Sequence, residues 1–230
     1  MRPPYVTPEA LRDLIHIALS EDIGTGDITT EATIPVDTNA RARMVAKDNG
    51  VVAGIEVAVA VFHQINPALQ IQVYIQDGTN VRPGDVVMEV SGHARSLLSA
   101  ERVALNIVQR MSGIATYTRQ LCLQLAGTGV QLLDTRKTTP GFRILEKWAV
   151  AIGGGVNHRY NLSEMILLKD NHIDMAGGIG AAIHKVKQLH HDKRIEIETR
   201  TLKEVQEVLE AGGTDIILLD NMSVADLIDA

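Results

Sequence analysis

Cationic side chains follow short apolar runs at several points of this sequence. The clearest case is LLDTRKTTPGFR, residues 132–143, in which three cations come after a strand-like run. A guanidinium binds a carboxylate or a phosphate through two parallel hydrogen bonds, so several such groups favour a ligand with several negative charges. The cations that share this pattern are Arg136, Lys137, Arg143, Arg159 and Lys169, together with His158.

Two carboxylates follow later apolar runs. Glu198 lies in RIEIETR, and Asp220 ends DIILLD. Magnesium accepts hard oxygen ligands and usually holds phosphates through one or two carboxylates and water. Cations together with such carboxylates predict phosphate-ester or pyrophosphate chemistry on an anionic co-substrate.

The second half of the chain has the pattern of βαβ units. After Gly129 four apolar runs alternate with helical stretches, which predicts a parallel sheet or barrel. The runs are VQLLDTR, MILLKDNHI, RIEIETR and DIILLDNMS. Because the carboxyl ends of parallel strands share one edge, where ligands bind, the ionisable groups after these runs predict an active site.

The first residues predict a compact α+β half. A helix is expected to begin with Thr7 as cap and Pro8 at its first position, and to end at Gly24. Residues 40–98 have the alternation of short strands, with one helix among them. Their predicted turns are Asn49-Gly50, Asp77-Gly78 and Pro83-Gly84, and ARSLLS is predicted to be a strand.

A long helix is expected to join the two halves. Ser99 has the residue type of a cap, and AERVALNIVQRMSGIATYTRQLCLQLAG follows with helical periodicity. Ser112-Gly113 is a place where this helix could bend or break. On this interpretation Arg102 lies near the amino-terminal turn, where the helix dipole does not favour a cation.

Composition excludes several classes of protein. Of the 230 residues, 45% are hydrophobic and 22% charged, so a sizeable core is expected. The formal net charge of -6 argues against a nucleic-acid partner. No apolar run approaches the ~20 residues of a membrane helix. The single cysteine, Cys122, excludes an internal disulfide and fits a reducing, cytoplasmic location.

Other candidate groups have simpler interpretations. The three glycines of IGGGVNHRY could cradle a phosphate with backbone amides, and a flexible loop explains them equally well. Lys147 and Trp148 are interpreted as a surface and a packing position on a helix. His190 and His191 are expected at a solvated helix end.

Seven segments together resemble the quinolinate phosphoribosyltransferase family, also called nicotinate-nucleotide pyrophosphorylase (carboxylating). They are EDIGTGDITT, ERVALNIVQRMSGIAT, DTRKTTPGFR, GGGVNHRYNL, LLKDNHI, EIETRTLKEV and IILLDNMS, and they run through essentially the whole chain. The resemblance implies an α/β fold in two parts. Residues 1–110 would form an N-terminal α/β sandwich, and residues 111–230 a C-terminal, incomplete and open α/β barrel.

The resemblance also implies a reaction of de novo NAD biosynthesis. Phosphoribosyl pyrophosphate and quinolinate would give nicotinate mononucleotide, pyrophosphate and CO₂, with Mg²⁺ and no organic cofactor. The expected partners are these small molecules and a second copy of the chain, as a cytoplasmic homodimer or higher even homo-oligomer, with no nucleic acid and no membrane.

The resemblance assigns roles to residues of this sequence. Those that would bind substrate are Arg102, Thr135, Arg136, Lys137, His158, Arg159, Lys169, Glu198 and Asp220. Catalytic roles fall on Lys137, Lys169, Glu198 and Asp220. Glu198 and Asp220 would bind ribose hydroxyls or Mg²⁺, directly or indirectly. Arg102 would enter the pocket from a neighbouring subunit, which suits its unfavourable place on the helix.

Alternatives remain at this point. Paralogues linked to molybdenum transport share the architecture, and VRPGDVVMEV resembles the hairpins of biotinyl and lipoyl carrier domains without their lysine. The sequence ends at SVADLIDA, whereas the family continues for about 50 residues. The chain is therefore expected to lack the late barrel strands, and a truncated fragment that binds ligand without activity is a third possibility.

Overall fold

The structure of the chain is a computed structural model that describes residues 2–190 and 192–230. His191, half of the predicted solvated pair, lies outside the described residues, while His190 is exposed as expected. The chain divides into two compact units, Met1–His158 and Arg159–Ala230. The division at residue 110, taken from the resemblance, stays a prediction.

The first unit is an α/β arrangement with small antiparallel sheets. Its elements are α1 (Pro8–Ile23), α2 (Ile28–Thr33), β1 (Asn39–Val45), β2 (Gly50–Val51), α3 (Ile55–Ile65), β3 (Gln70–Val73), β4 (Asn80–Val81), β5 (Val86–His93), α4 (Ala94–Gln124) and α5 (Arg143–Gly153). The three-stranded sheet has the order β1-β5-β3, and β2 pairs with β4. Both sheets are antiparallel, and β5 is central because it pairs with β1 along its length and with β3 over residues 88–91.

Local sequence signals account for much of this unit. Thr7 Oγ1 accepts from Ala10 N, Pro8 opens α1 and Gly24 ends it, as predicted. The predicted turns at Asp77-Gly78 and Pro83-Gly84 are present, whereas Gly50 belongs to β2. Buried apolar residues of α3 and α4 pack together in the core; among them are Val57, Ala58, Val61, Ala100, Ala104, Ile107 and Met111.

Helix α4 begins earlier than the sequence predicts. ARSLLS forms its first turns rather than a strand, and Ser99 is inside the helix, not its cap. The helix is continuous through Ser112, whose Oγ accepts from Ala53 N at 2.9 Å and donates to Ala53 O at 3.2 Å. Arg102 therefore lies beyond the first two turns, where the dipole has little effect, so the dipole argument for its role is wrong.

The second unit has the predicted parallel α/β pattern. Its elements are β6 (Ile166–Leu168), α6 (Asp170–Ala176), α7 (Ile179–Leu189), β7 (Ile195–Thr199), α8 (Leu202–Ala211), β8 (Ile216–Leu219) and α9 (Val224–Asp229). The strands have the order β6-β7-β8 and all pairs are parallel. Its core consists of Leu168, Ile179, Ala182, Ile183, Ile195, Ile197 and Val208. The sheet is open rather than closed.

The first of the four predicted strands is absent. The run VQLLDTR forms only an isolated parallel bridge between Leu133 and Val156. Leu133 is 54% exposed, so the run lacks the buried apolar face that stabilises a strand. In the described part of the chain, three parallel strands thus stand where the sequence predicts four.

No helix in the described ranges combines the length and hydropathy that a membrane span requires.

Candidate functional site

The first unit presents a cationic loop, defined here as residues 134–139, between the bridge at Leu133 and helix α5. Thr135 Oγ1 accepts from Lys137 N at 3.0 Å, which closes a tight turn around Arg136. The carbonyl of Arg136 accepts from Thr138 N at 2.9 Å and from Arg143 Nη2 at 3.3 Å. Arg143, grouped with the ligand-binding cations by the sequence, thus also braces the loop.

Arg136 carries a buried hydrogen-bond donor without a partner. Its Nε atom is shielded from solvent, and no acceptor among the described residues bonds to it. Leaving a buried donor unpaired costs about 1–3 kcal/mol. Because carboxylates and phosphates accept from the edge of a guanidinium, this atom indicates a position where an anion would be stabilised.

Asp134, at the start of the cationic loop, accepts from three donors. Lys147 Nζ donates to Oδ1 at 2.5 Å, His158 N to Oδ1 at 2.8 Å, and Asn157 Nδ2 to Oδ2 at 2.8 Å. The Lys147 side chain is 1% exposed and also donates to the carbonyl of His158 at 2.9 Å. The interpretation of Lys147 as a surface residue is therefore wrong, whereas Trp148 is buried as predicted.

Glu146 holds the other end of the cationic loop. Its Oε2 accepts from Thr139 N at 3.0 Å, and its Oε1 accepts from Arg110 Nη2 at 2.6 Å. Arg110 also donates to Thr139 Oγ1 at 3.2 Å. Burial raises the pKa of Glu146, but the hydrogen bonds from Arg110 and Thr139 outweigh it and hold the pKa below its usual value.

The three glycines at the end of α5, residues 153–155, permit close helix packing and do not offer free amides to a phosphate. Gly154 N and Gly155 N donate to carbonyls of α5, so these amides are not free for a ligand. A Cβ on Gly153 would lie 2.6 Å from Ala115 O and from Thr118 Cβ, so its absence permits close packing against α4. The phosphate-cradle interpretation of the sequence is wrong.

In the second unit, ionisable groups meet at the carboxyl edge of the parallel sheet. Lys169 follows β6 directly and caps α6, and its Nζ lies 3.2 Å from Glu198 Oε2 near the end of β7. Asp220 follows β8, and its N donates to Thr199 O at 2.8 Å. The structure thus brings three of the predicted residues to one edge of the sheet, as the parallel pattern requires.

The same edge holds residues that the sequence analysis did not assign. Arg200 Nη1 lies 3.5 Å from Asp170 Oδ2 and its Nη2 lies 3.6 Å from Glu204 Oε1. With Glu198 they line a cavity of about 40 Å³. Their position in the sequence could have indicated them, because Asp170 and Arg200 directly follow Lys169 and Thr199 at the ends of two apolar runs.

The remaining predicted residues have separate positions. Arg102 is exposed on α4, two turns or about 12 Å along the helix from Arg110. His158 is half-buried, with its backbone bonded to Asp134 and Lys147. Arg159 is 9% exposed, and its Nη1 donates to the carbonyl of Met165, just before β6. That Arg136 and Arg159 line one pocket stays a prediction.

Glu198 and Asp220 have the chemistry that Mg²⁺ accepts. No cluster of three or more His, Cys, Asp or Glu in residues 2–190 and 192–230 could hold a metal ion. Magnesium bound through substrate phosphates does not need such a cluster, because one or two carboxylates and water complete its shell. Glu198, which lies beside Lys169, and Asp220, at the end of the neighbouring strand, have the ligand type that fits a phosphate-bound Mg²⁺.

These features are typical of α/β enzymes with binding sites for anions. One unit carries a buried guanidinium donor without a partner, and the other carries a lysine and carboxylates at the ends of parallel strands. Residues 27–112 match the N-terminal domain of quinolinate phosphoribosyl transferase, and residues 114–230 match its C-terminal domain. The chain belongs to the quinolinate phosphoribosyltransferase family.

Known proteins agree with this assignment. The mitochondrial quinolinate phosphoribosyltransferase [decarboxylating] 2 of Nicotiana glauca is 44% identical over 234 residues, a match to 97% of this chain and 66% of the relative. The chloroplastic nicotinate-nucleotide pyrophosphorylase [carboxylating] of Arabidopsis thaliana is 46% identical over 97% of the chain and 67% of its own length. The chain spans about two thirds of the length of these relatives.

A solved structure has the same fold. NadC from Streptococcus pyogenes superposes with a TM-score of 0.92 at 40% identity, covering 96% of this chain and 79% of that protein. The combination of an antiparallel α/β unit and an open parallel α/β unit is therefore the fold of this family.

Proposed function

We propose that the protein transfers phosphoribosyl from phosphoribosyl pyrophosphate to quinolinate and decarboxylates the product to nicotinate mononucleotide. The relatives carry the names of this activity, and the chain matches both domains of the family. The observation that carries the proposal is the buried Nε of Arg136, a donor that a substrate carboxylate would satisfy.

The acid would bind to the cationic groups of residues 135–159. Quinolinate has two adjacent carboxylates, and Arg136 and Lys137 are neighbouring cations on a loop held from both ends. Thr135, His158 and Arg159 complete the proposed acid-binding set. Two cations for two carboxylates would favour a dicarboxylate over a monoacid, because each unpaired charge would carry a desolvation cost.

The phosphoribosyl donor would bind at the carboxyl edge of β6-β7-β8. Lys169 would leave Glu198 for a donor oxygen, and Glu198 and Asp220 would accept from ribose hydroxyls or hold Mg²⁺. Magnesium, when bound to the donor, neutralises charge that builds up on the departing pyrophosphate. Lys169 would add a fixed positive charge that also stabilises the departing pyrophosphate.

The reaction then depends on the orientation of the two substrates more than on acid–base catalysis by the protein. The lone pair of the pyridine nitrogen forms a bond to the anomeric carbon while the bond to pyrophosphate breaks and its electron pair leaves with pyrophosphate. The ring nitrogen becomes cationic. Loss of CO₂ from the adjacent carboxylate leaves an electron pair on the ring carbon beside that nitrogen, and a proton from solvent then completes nicotinate mononucleotide. Arg136 and Lys137 would hold the ring throughout.

The assembly proposed is a homodimer or higher even homo-oligomer in which Arg102 reaches the acid of the neighbouring subunit. The exposed position of Arg102 on α4 is compatible with that role. The cytoplasmic location also stays a prediction, since the cited plant relatives are named mitochondrial and chloroplastic.

A stoichiometric assay tests the proposed function. The purified chain is incubated with quinolinate, phosphoribosyl pyrophosphate and Mg²⁺, and nicotinate mononucleotide, pyrophosphate and CO₂ are measured. Equal yields of the three products are expected, with no CO₂ when nicotinate replaces quinolinate. Absence of all three products from the folded protein contradicts the proposal.

A further inference from the structure

Two consecutive residues of helix α5 bind opposite ends of the cationic loop. Lys147 donates to Asp134 Oδ1 at the start of the loop, and Glu146 accepts from Thr139 N at its end. Both side chains are buried and carry opposite charges. Arg136, with its unpartnered Nε, lies in the chain between the two attachment points.

We propose that Glu146 and Lys147 are positioning residues that hold the cationic loop in the conformation that receives a carboxylate ligand. The inference deepens the proposed function, on which it rests for the identity of the acid. Neither side chain touches the ligand; each acts through the loop backbone or through Asp134. The consequence is a guanidinium that is arranged before the ligand binds, so less ordering is left for the binding step.

Each attachment is reinforced by further contacts. Asn157 Nδ2 donates to Asp134 Oδ2 at 2.8 Å and to Lys147 O at 2.7 Å, and Asn157 Oδ1 accepts from Tyr5 Oη at 2.7 Å. On the Glu146 side, Arg110 reaches over from α4 with bonds of 2.6 and 3.1 Å. These partners leave each carboxylate few alternative positions.

Stability alone does not account for the arrangement. A buried ion pair is a weak source of stability, because a well-packed apolar pair in its place is often neutral or stabilising. Removing one partner is costly, since the other charge is then buried alone. Removing the charge of Lys147 alone, and removing both charges of the pair, should therefore affect stability differently. A positioning role predicts that ligand binding is weakened in both variants.

The experiment uses Lys147→Met, and Asp134→Asn combined with Lys147→Met, in the full chain. The single change is expected to lower Tm and to raise the KM for quinolinate by about tenfold or more, with the KM for phosphoribosyl pyrophosphate unchanged within about twofold. The double change is expected to recover most of the lost Tm but not the KM, because the start of the loop is still not held by Lys147.

The matched control is a variant in which a different buried carboxylate, that of Glu89, is replaced. Glu89 bridges Arg41 and Arg43 on β1, at 3.4 and 2.7 Å, and its side chain is about as buried as that of Glu146. Glu89→Gln is expected to lower Tm without changing either KM. Glu146→Gln, by contrast, is expected to raise the KM for quinolinate selectively.

Hydrogen exchange of residues 134–139 gives a readout that does not depend on turnover. Both Lys147 variants are expected to exchange the loop amides about tenfold faster than wild type, and Glu89→Gln is not. Unchanged loop exchange, or a KM that recovers with Tm in the double variant, overturns the inference. A wild-type chain that neither binds nor converts quinolinate contradicts the proposed function instead, and the exchange result still decides the positioning role.

Discussion

At the scale of single residues, the candidate site consists of charged side chains whose positions are fixed by neighbouring groups. Arg136 keeps a buried donor unpaired, at a cost that other contacts must offset. Lys169 and Glu198 form a 3.2 Å ion pair that is partly open to solvent, so a charged ligand can compete for it at modest cost. Residue-level predictions therefore concern ligand binding more than stability.

The first prediction concerns Lys169→Ala. Its side chain is 48% exposed, so loss of the pair with Glu198 is expected to change the free energy of unfolding by less than about 1 kcal/mol. Loss of fixed charge near the departing pyrophosphate is expected to lower kcat by about 100-fold or more. Urea unfolding and steady-state kinetics measure the two effects.

Lys203→Ala is the matched control for Lys169→Ala, because Lys203 pairs with Glu207 at 3.7 Å on the surface of α8. It is expected to leave both kcat and stability near wild type. Equal kcat values in the two variants would show that Lys169 has no role in the reaction.

At the scale of elements, the long helix α4 organises the first unit. It packs against α3 and α5, and its Ser112 and Thr116 hydrogen-bond the backbone of residues 51–53. Arg110 on the same helix supports the cationic loop through Glu146. Changes in α4 contacts are therefore expected to affect stability and loop position together.

The second prediction compares two glycines at this helix. A Cβ at Gly50 would lie 2.6 Å from Thr116 Oγ1, which accepts from Val51 N, so Gly50→Ala is expected to destabilise the chain by about 1–3 kcal/mol. Gly113 lies in the helix with no atom within 4 Å of an added Cβ. Gly113→Ala is expected to stabilise by up to about 1 kcal/mol. Opposite signs in urea unfolding are the expected result, and destabilisation by Gly113→Ala contradicts the continuous helix.

The third prediction concerns pH. The pKa of Glu146 is lowered in the folded chain, because hydrogen bonds from Arg110 and Thr139 outweigh burial, so its stabilising effect is full above the ordinary glutamate pKa of the unfolded chain. The effect is lost as pH falls through the folded pKa. The stability advantage of wild type over Glu146→Gln, measured by urea unfolding, is expected to shrink from pH 6 to about pH 3.

Asp77 gives the opposite sign and serves as the control. Burial raises the pKa of Asp77, although its Oδ1 accepts from Ile55 N at the start of α3. Relative to Asp77→Asn, wild type is expected to gain stability as pH falls through the raised pKa. Parallel trends for Glu146 and Asp77 would contradict the assigned causes.

At the scale of the whole molecule, a net charge of -6 contrasts with the cations gathered in the 134–143 segment. The proposed assembly adds Arg102 from a second copy to this positive potential. A closed dimer has twofold symmetry, so each subunit would both give and receive one arginine.

The fourth prediction is complementation between inactive variants. Arg102→Ala and Arg136→Ala are each expected to be inactive, but mixed dimers contain one intact site, made of Arg136 from one chain and Arg102 from the other. Random reassembly is then expected to restore about a quarter of wild-type activity. No recovery after demonstrated subunit exchange would place Arg102 within its own chain's site.

The sequence predicted features that depend on local pattern. Helix α1 with its caps, and the alternation of parallel strands with helices in the second unit, followed from periodicity and turn residues. The placement of Lys169, Glu198 and Asp220 at one edge followed from parallel topology.

Features that depend on distant partners could not be predicted in the same way. The surface position predicted for Lys147 is wrong because its buried partner Asp134 is 13 residues away, and helical periodicity does not reveal that pairing. The predicted start of α4 is too late because Ser99 has the residue type of a helix cap, whereas the helix already begins at Ala94. VQLLDTR has the composition of a strand, but Leu133 is exposed and pairs with Val156 only through an isolated bridge.

The most direct test of the central claim is calorimetric titration of the chain with quinolinate and with nicotinate, in wild type and in Arg136→Ala. We expect wild type to bind quinolinate much more tightly than nicotinate, and Arg136→Ala to lose quinolinate binding while its affinity for phosphoribosyl pyrophosphate is retained. Equal affinity of wild type for the two acids, or equal loss of acid and donor binding in Arg136→Ala, would contradict the role of Arg136 in binding the dicarboxylate.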